Sequence, residues 1–234
     1  MSDYFLNVPS KGLVSPTSWG SRASIIGMIK KIMANYGSFI KTAAENSKLP
    51  ASVIASFIAV ESGGNPTAGG SGSATQGLMQ WNRKFAKSFL EAEKKLGRLT
   101  PNEEEILAKY GIKFDASGKT RVINQSDLVK PELNIVIGSI LLGQYVDGYY
   151  EAPKKDAGNF AIDSGKNLRL DRIISIYNAG AYGPIGKKAR TGNYGSASEM
   201  AANVPEPTKS YIKKILGENG SMDVATKELA SLFS

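Results

Sequence analysis

Val53-Ile54-Ala55-Ser56-Phe57-Ile58-Ala59-Val60-Glu61-Ser62 runs directly into Gly63-Gly64-Asn65-Pro66. A short run that is apolar on nearly all sides reads as a helix buried inside a domain. Glu61 is its single carboxylate, and the neighbouring acids along the chain are Glu45 and Glu91. Burial disfavours the charged form of a carboxyl and raises its pKa, which suits a general acid. The competing reading is a half-solvated Glu at a helix end with no chemical task. The stretch alone leaves both open.

Working outward, Pro50 sits at the first turn of this helix, where its missing N–H does no harm. Upstream, Ile25, Ile29, Ile32, Tyr36, Phe39, Ile40 and Ala43 recur at three- and four-residue steps and predict a helix over 22–46. Residues 1–21, with Pro9, Gly12, Pro16 and Gly20, read as an irregular arm pinned by Trp19. Downstream, 63–76 is a glycine- and serine-rich loop leading to Gly77-Leu78-Met79-Gln80-Trp81. A helix through Phe85, Phe89 and Leu96 follows. Thr100-Pro101-Asn102-Glu103 is a capping-box start for another, which should end at Gly111.

Residues 111–127 read as a loop with a short strand near Arg121-Val122-Ile123. Pro131 opens a helix to about 146, and 147–169 is a long loop. Leu170 to Ile176 is a short helix ending in a turn-rich loop, 177–194, and Thr208 to Leu216 is a further helix. A last amphipathic segment covers 222–233. The expected fold is mainly α with at most a small β element. The organisation is an arm (1–21), one helical domain (22–217) and a helical tail (218–234) packed on it.

Composition removes whole classes of chemistry. The 234 residues contain no cysteine and no histidine. Disulfides, thiolate nucleophiles, Ser-His and Cys-His pairs and the common zinc sites are therefore excluded. Acid–base work falls to Asp, Glu, Lys or Tyr, and carboxyl-based glycoside cleavage remains open. With no acidic cluster of EF-hand type either, no metal and no cofactor are expected. The net charge of +8 favours a polyanionic partner such as nucleic acid, an anionic membrane or a bacterial wall. The lysines occur as scattered pairs, such as Lys94-Lys95 and Lys213-Lys214, which disfavours nucleic acid. No apolar run is long enough for a membrane span.

Glu61-Ser62, Asn65-Pro66, Gly77-Leu78-Met79-Gln80 and Tyr177-Asn178-Ala179-Gly180 together resemble the soluble-type lytic transglycosylases. That family has a lysozyme-like fold and is related to goose-type lysozyme. Pro131-Glu132-Leu133-Asn134-Ile135 with Gly138 is similar to its third motif. Pro205, Thr208 and Tyr211-Ile212 are similar to its last. The matches fall in the family's order over residues 50–216.

The resemblance implies a lysozyme-like helical domain with long loops that cleaves the β-1,4 bond between N-acetylmuramic acid and N-acetylglucosamine. It makes Glu61 the single acid/base, poorly exposed at a cleft floor, and implies 1,6-anhydro-muramoyl products. Met79, Gln80, Tyr177, Asn178 and Tyr211 become substrate-binding residues, with core packing the bland alternative for Met79 and Tyr211. The loop after Glu61 is one residue longer than in the family, so Ser71 and Ser73 compete for the serine position. Pro207 stands where the family has Glu, and Lys209 where Arg is usual.

Ordinary glycosidases need two carboxyls, about 5–5.5 Å or about 6.5–9.5 Å apart. No Asp lies between Asp3 and Asp115. A partner from Asp115, Asp127 or Asp163 would have to come through folding. The transglycosylase is therefore preferred over a hydrolytic muramidase. A non-catalytic wall-binding virion protein is the further alternative. Peptidoglycan strands are the expected partner, with other virion proteins as candidates. Met1-Ser2-Asp3-Tyr4-Phe5 lacks a secretory signal. The corresponding expectation is a bacteriophage protein: a virion component, or an endolysin passing from host cytoplasm to periplasm.

Overall fold

The structure is a computed structural model that describes residues 12–70, 72–147, 161–162, 167–180, 183–192 and 194–233. Among these residues it contains eleven α-helices and one two-stranded antiparallel sheet. The chain forms two compact units, Lys31–Leu141 and Met1–Lys30 with Leu142–Ser234. Among the described residues no helix is long and apolar enough to cross a membrane.

The Lys31–Leu141 unit takes most of helix α1 (Arg22–Ser47), which buries Ile32, Tyr36, Ile40 and Ala43 at the predicted spacing. Helix α2 (Ala51–Ser62) is buried continuously from Ala51 to Ala59. Its side chains Ile54, Phe57 and Ile58 are wholly inaccessible. Each contributes about 1.5–3 kcal/mol of apolar burial. Pro50 occupies the N-cap, one position before the expected first turn. Gly63 closes the helix in the left-handed region (φ 62°), its N–H donating to Ala59 O at 3.1 Å.

Strands β1 (Thr75–Gln76) and β2 (Trp81–Asn82) pair antiparallel, Thr75 opposite Asn82 and Gln76 opposite Trp81. Helix α3 (Arg83–Lys95) follows, then α4 (Pro101–Lys109). The capping box of α4 is present in both directions: Glu103 N–H donates to Thr100 Oγ1 at 3.2 Å, and Thr100 N–H to Glu103 Oε2 at 2.7 Å. The strand expected near Arg121 is absent among the described residues. That side chain instead reaches forward to Asp127 in helix α5 (Gln125–Leu128), with donor distances of 2.7 and 3.0 Å. Helix α6 (Pro131–Val146) has the predicted bounds.

In the other unit, α7 (Leu170–Ala179) packs on α8 (Pro184–Thr191), α9 (Ala197–Ala202) and α10 (Thr208–Leu216). Helix α10 also packs on α9 and α11 (Ser221–Glu228). Two expectations are corrected here, and α9 is a helix that the sequence reading does not include. Helix α7 is longer than predicted and carries Tyr177 and Asn178 in its last turn. The segment read as loop contains α8, begun by Pro184 at its first position. Ser196 caps α9 by accepting the Glu199 N–H at 3.2 Å. Both helices are one or two turns long, too short for a periodic pattern to stand out. Much of 147–169 lies outside the described residues.

The described part of the arm docks in this unit. Leu13 is buried, Val14 bridges to Glu218, and the Lys214 ammonium lies 5.5 Å from the Trp19 ring centroid. At the start of α1, Arg22 donates to Asp223 and to Glu228, both at 2.9 Å.

Candidate active site

Glu61 is half-buried in the last turn of α2. The chain after it is held in place. Gly64 (φ 81°) lies against Ile32, where a Cβ would collide, and its carbonyl accepts the Tyr36 hydroxyl at 3.3 Å. Ser62 Oγ donates to Ile58 O at 3.1 Å and accepts the Gly64 N–H at 3.2 Å. Asn65 Oδ1 accepts both the N–H and the hydroxyl of Thr67, at 3.0 and 2.9 Å. The carboxyl is thus carried by a rigid helix whose exit is fixed by a polar turn.

The glycine-rich loop is organised from inside by Gln76. This side chain is buried and donates to Gly70 O at 2.7 Å and to Ser73 O at 3.2 Å. Ser73 is exposed, and its hydroxyl accepts the Thr75 N–H at 3.3 Å. Ser71, the other candidate, lies outside the described residues.

Gly77-Leu78-Met79-Gln80 forms the turn between β1 and β2. Gly77 has φ 83°, and a Cβ there would strike Leu128 O and the Asn134 amide, so only glycine fits. Asn134 on α6 is fully buried and uses its whole amide on this turn. Its Oδ1 accepts the Met79 N–H at 2.7 Å, and its Nδ2 donates to Gln76 O at 3.0 Å and Leu128 O at 2.8 Å.

The expectation that Met79 packs on sugar rings is not met in this structure. Its side chain is fully buried, lying where a Cβ on Gly138 of α6 would collide with its sulfur. The bare helix surface at Gly138 makes that room. Met79 therefore anchors the turn from below. Gln80 is half-buried at φ 50°, its Oε1 accepting from Thr75 Oγ1 at 3.0 Å and its Nε2 donating to Gly77 O at 2.8 Å.

The remaining candidates belong to the other unit. Tyr177 and Asn178 are half-buried at the end of α7. Asn178 Oδ1 accepts the hydroxyl of buried Thr208, the first residue of α10, at 2.8 Å. One turn on, Tyr211 is only 8% exposed. The Tyr177-Asn178 and Thr208–Tyr211 motifs, far apart in sequence, thus meet through one side-chain hydrogen bond.

Two of the aspartates considered as a second carboxyl have structural partners. Asp115 accepts the N–H groups of Ser117 and Lys119 within its own loop, and those bonds lower its pKa. Burial pushes the Asp127 pKa up, but hydrogen bonds from Arg121, the Asn124 N–H and Lys130 outweigh it and bring it to about 2. Asp163 lies outside the described residues. Among the described residues no group of three or more carboxylates could hold a metal ion.

The roles of Asn134, Gly138 and Gln76 were not evident beforehand. Asn134 and Gly138 stand in a recognisable motif, but their task depends on a turn some 55 residues away. Residues 38–108, spanning α1 to α4 and including Glu61 and the turn, match the family described as Transglycosylase SLT domain. No curated protein matches the chain.

Proposed function

We propose that the chain is a soluble lytic transglycosylase, a lyase acting on peptidoglycan, and that it cleaves the glycan with Glu61 as its one acid/base. The observation that carries this reading is the position of Glu61. It is a half-buried carboxyl on a rigid helix end inside the matched segment, opening onto a polar loop. The engagement of Asp115 and Asp127 elsewhere in the same unit supports a mechanism without a second carboxylate.

In this mechanism Glu61 starts protonated. It gives its proton to the bridging oxygen as the bond from muramoyl C1 to the N-acetylglucosamine O4 breaks. The carbonyl oxygen of the muramoyl acetamido group bonds to C1 and takes up the positive charge. The Glu61 carboxylate then accepts the proton of the 6-hydroxyl as O6 bonds to C1 and the acetamido oxygen leaves. Glu61 ends protonated, no water is consumed, and a 1,6-anhydro end remains. Gln80 and Ser73 are assigned to binding sugar and acetamido groups, and the family resemblance gives Tyr177, Asn178 and Tyr211 the same class of role.

Mass spectrometry of digested peptidoglycan tests this. Anhydro ends, lighter by one water than reducing ends, are the expected product. Reducing ends alone would make the protein a hydrolytic muramidase. Glu61→Gln should lower the rate about 10²–10⁴-fold while wall binding and folding persist. Activity retained in that variant would remove Glu61 from the mechanism.

A further inference from the structure

The two limbs of the glycine-rich loop are pinned together at its base. Gly77 N–H donates to Ala68 O at 3.0 Å. Just inside, Gly69 (φ 101°) faces the opposite limb, where a Cβ would collide with Thr75 O. The interior is filled by Gln76, which is 2% exposed. The amide of this side chain is fully spent. Nε2 donates to Gly70 O at 2.7 Å and to Ser73 O at 3.2 Å, and Oε1 accepts from Gln125 Nε2 at 3.2 Å. Gln125 Nε2 also donates to Gly70 O at 3.0 Å. Gly70 O thus takes two amide donors, one for each lone pair.

Gln125 is the first residue of α5, and that helix is itself firmly held. Its Asp127 carboxylate accepts the Asn124 N–H at 2.8 Å, Arg121 at 2.7 and 3.0 Å, and Lys130 at 3.3 Å. Helix α5 lies past residue 108, where the family match ends. The loop is therefore braced by a part of this chain that the match does not cover. Without the Gln125 amide, Gln76 Oε1 would be a buried acceptor with no partner, which costs more than an ordinary hydrogen bond contributes. The loop would have to loosen to admit water. Ser73, tied to Gln76 through its carbonyl, would move with it.

We infer that Gln76 and Gln125 are positioning residues for glycan cleavage: through this amide pair, α5 holds the loop in the shape in which Ser73 meets the sugar. The inference rests on the assignment of Ser73 to sugar binding made above. Both amides act through the loop and need no contact with substrate. A contact made equally in the ground and transition states affects KM and leaves kcat unchanged. The brace should therefore be read in KM.

The test compares KM and kcat of the full chain and of Gln125→Ala on solubilised, uncross-linked peptidoglycan strands, well below the melting temperature. A KM about three- to tenfold higher is expected, with kcat within about twofold. Ser73→Ala supplies a second arm. If Gln125 acts through Ser73, Gln125→Ala adds little once Ser73 is replaced, so the two KM effects are not additive. Amide hydrogen exchange is the third arm: the N–H groups of Thr75 and Gly77 should exchange faster in Gln125→Ala, while those of α2 keep the parent rates. Should Gln125→Ala misfold, Gln125→Glu takes its place. It keeps the size, removes the donor and sets a carboxylate against two oxygen acceptors, so the same rise in KM is expected. Unchanged KM in a folded variant, additive effects with Ser73→Ala, or unchanged loop exchange overturns the inference. Reducing ends in place of anhydro ends would sink the mechanism above and leave the KM comparison valid. Anhydro products with an unmoved KM sink only the brace, and a parent chain that cleaves nothing overturns both.

Discussion

Asn134 accepts the backbone N–H of Met79 at 2.7 Å, from a helix 55 residues further along the chain. Through this bond and its two donated ones, α6 sets the turn that presents Gln80. Asn134→Ala would leave a buried N–H and two buried carbonyls to find other partners. A loss of about 2–4 kcal/mol in urea unfolding is expected. Asn134→Asp keeps the acceptor and removes the donors, so it should also destabilise. A turn that needs no such anchor would show both variants within about 0.5 kcal/mol of the parent.

Gly138→Ala sets two effects of opposite sign against each other. Ala is favoured over Gly inside a helix by about 1 kcal/mol. Here the added methyl meets the buried Met79 side chain, and overpacking costs about 1–3 kcal/mol. The collision should win and the variant should melt lower. In a double-mutant cycle, Met79→Ala should relieve part of the effect. Additive losses would mean the two side chains are not in conflict.

Asp127 makes stability fall in acid. Its folded pKa of about 2 lies below the ordinary aspartate value of about 3.9. The folded state therefore holds the carboxylate in preference to the acid. The contribution is fully present above about pH 4 and is lost as pH falls toward about 2. Urea midpoints should drop between pH 5 and pH 2.5. In Asp127→Asn that slope should be shallower, with lower stability at pH 7, because Arg121 loses its ion pair. An unchanged slope would assign the acid sensitivity to other groups, Glu91 first, whose pKa is also about 2.

Thr208→Val removes the hydroxyl that donates to Asn178 and keeps the shape of the buried side chain. About 1 kcal/mol of stability should be lost. If Asn178 orients substrate, turnover should fall further than that loss accounts for when measured well below the melting temperature. A fall in stability alone would restrict Asn178 to a structural role.

Much of the fold is legible in local sequence. The periodic stripe of α1, the continuous apolar run of α2, the Thr100–Glu103 capping box and Pro131 at the head of α6 each depend on neighbours within one or two turns. Their bounds follow within a residue or two. Short helices such as α8 and α9 escape because one turn holds too few residues to display a period.

For the site, the residue types and order of Glu61, Gly77–Gln80, Tyr177-Asn178 and Tyr211 are in the sequence by itself, and they point to carboxyl-based glycan chemistry. Tertiary structure decided what each side chain touches. Met79 turned inward because Gly138 leaves a gap beneath it. Asp127 became an ion-pair partner because Arg121 reaches forward to it. Arg83 stayed exposed because, among the described residues, no acid pairs with it. Such outcomes depend on which distant groups satisfy a buried polar atom or fill a void, and that competition is settled only when the chain has packed.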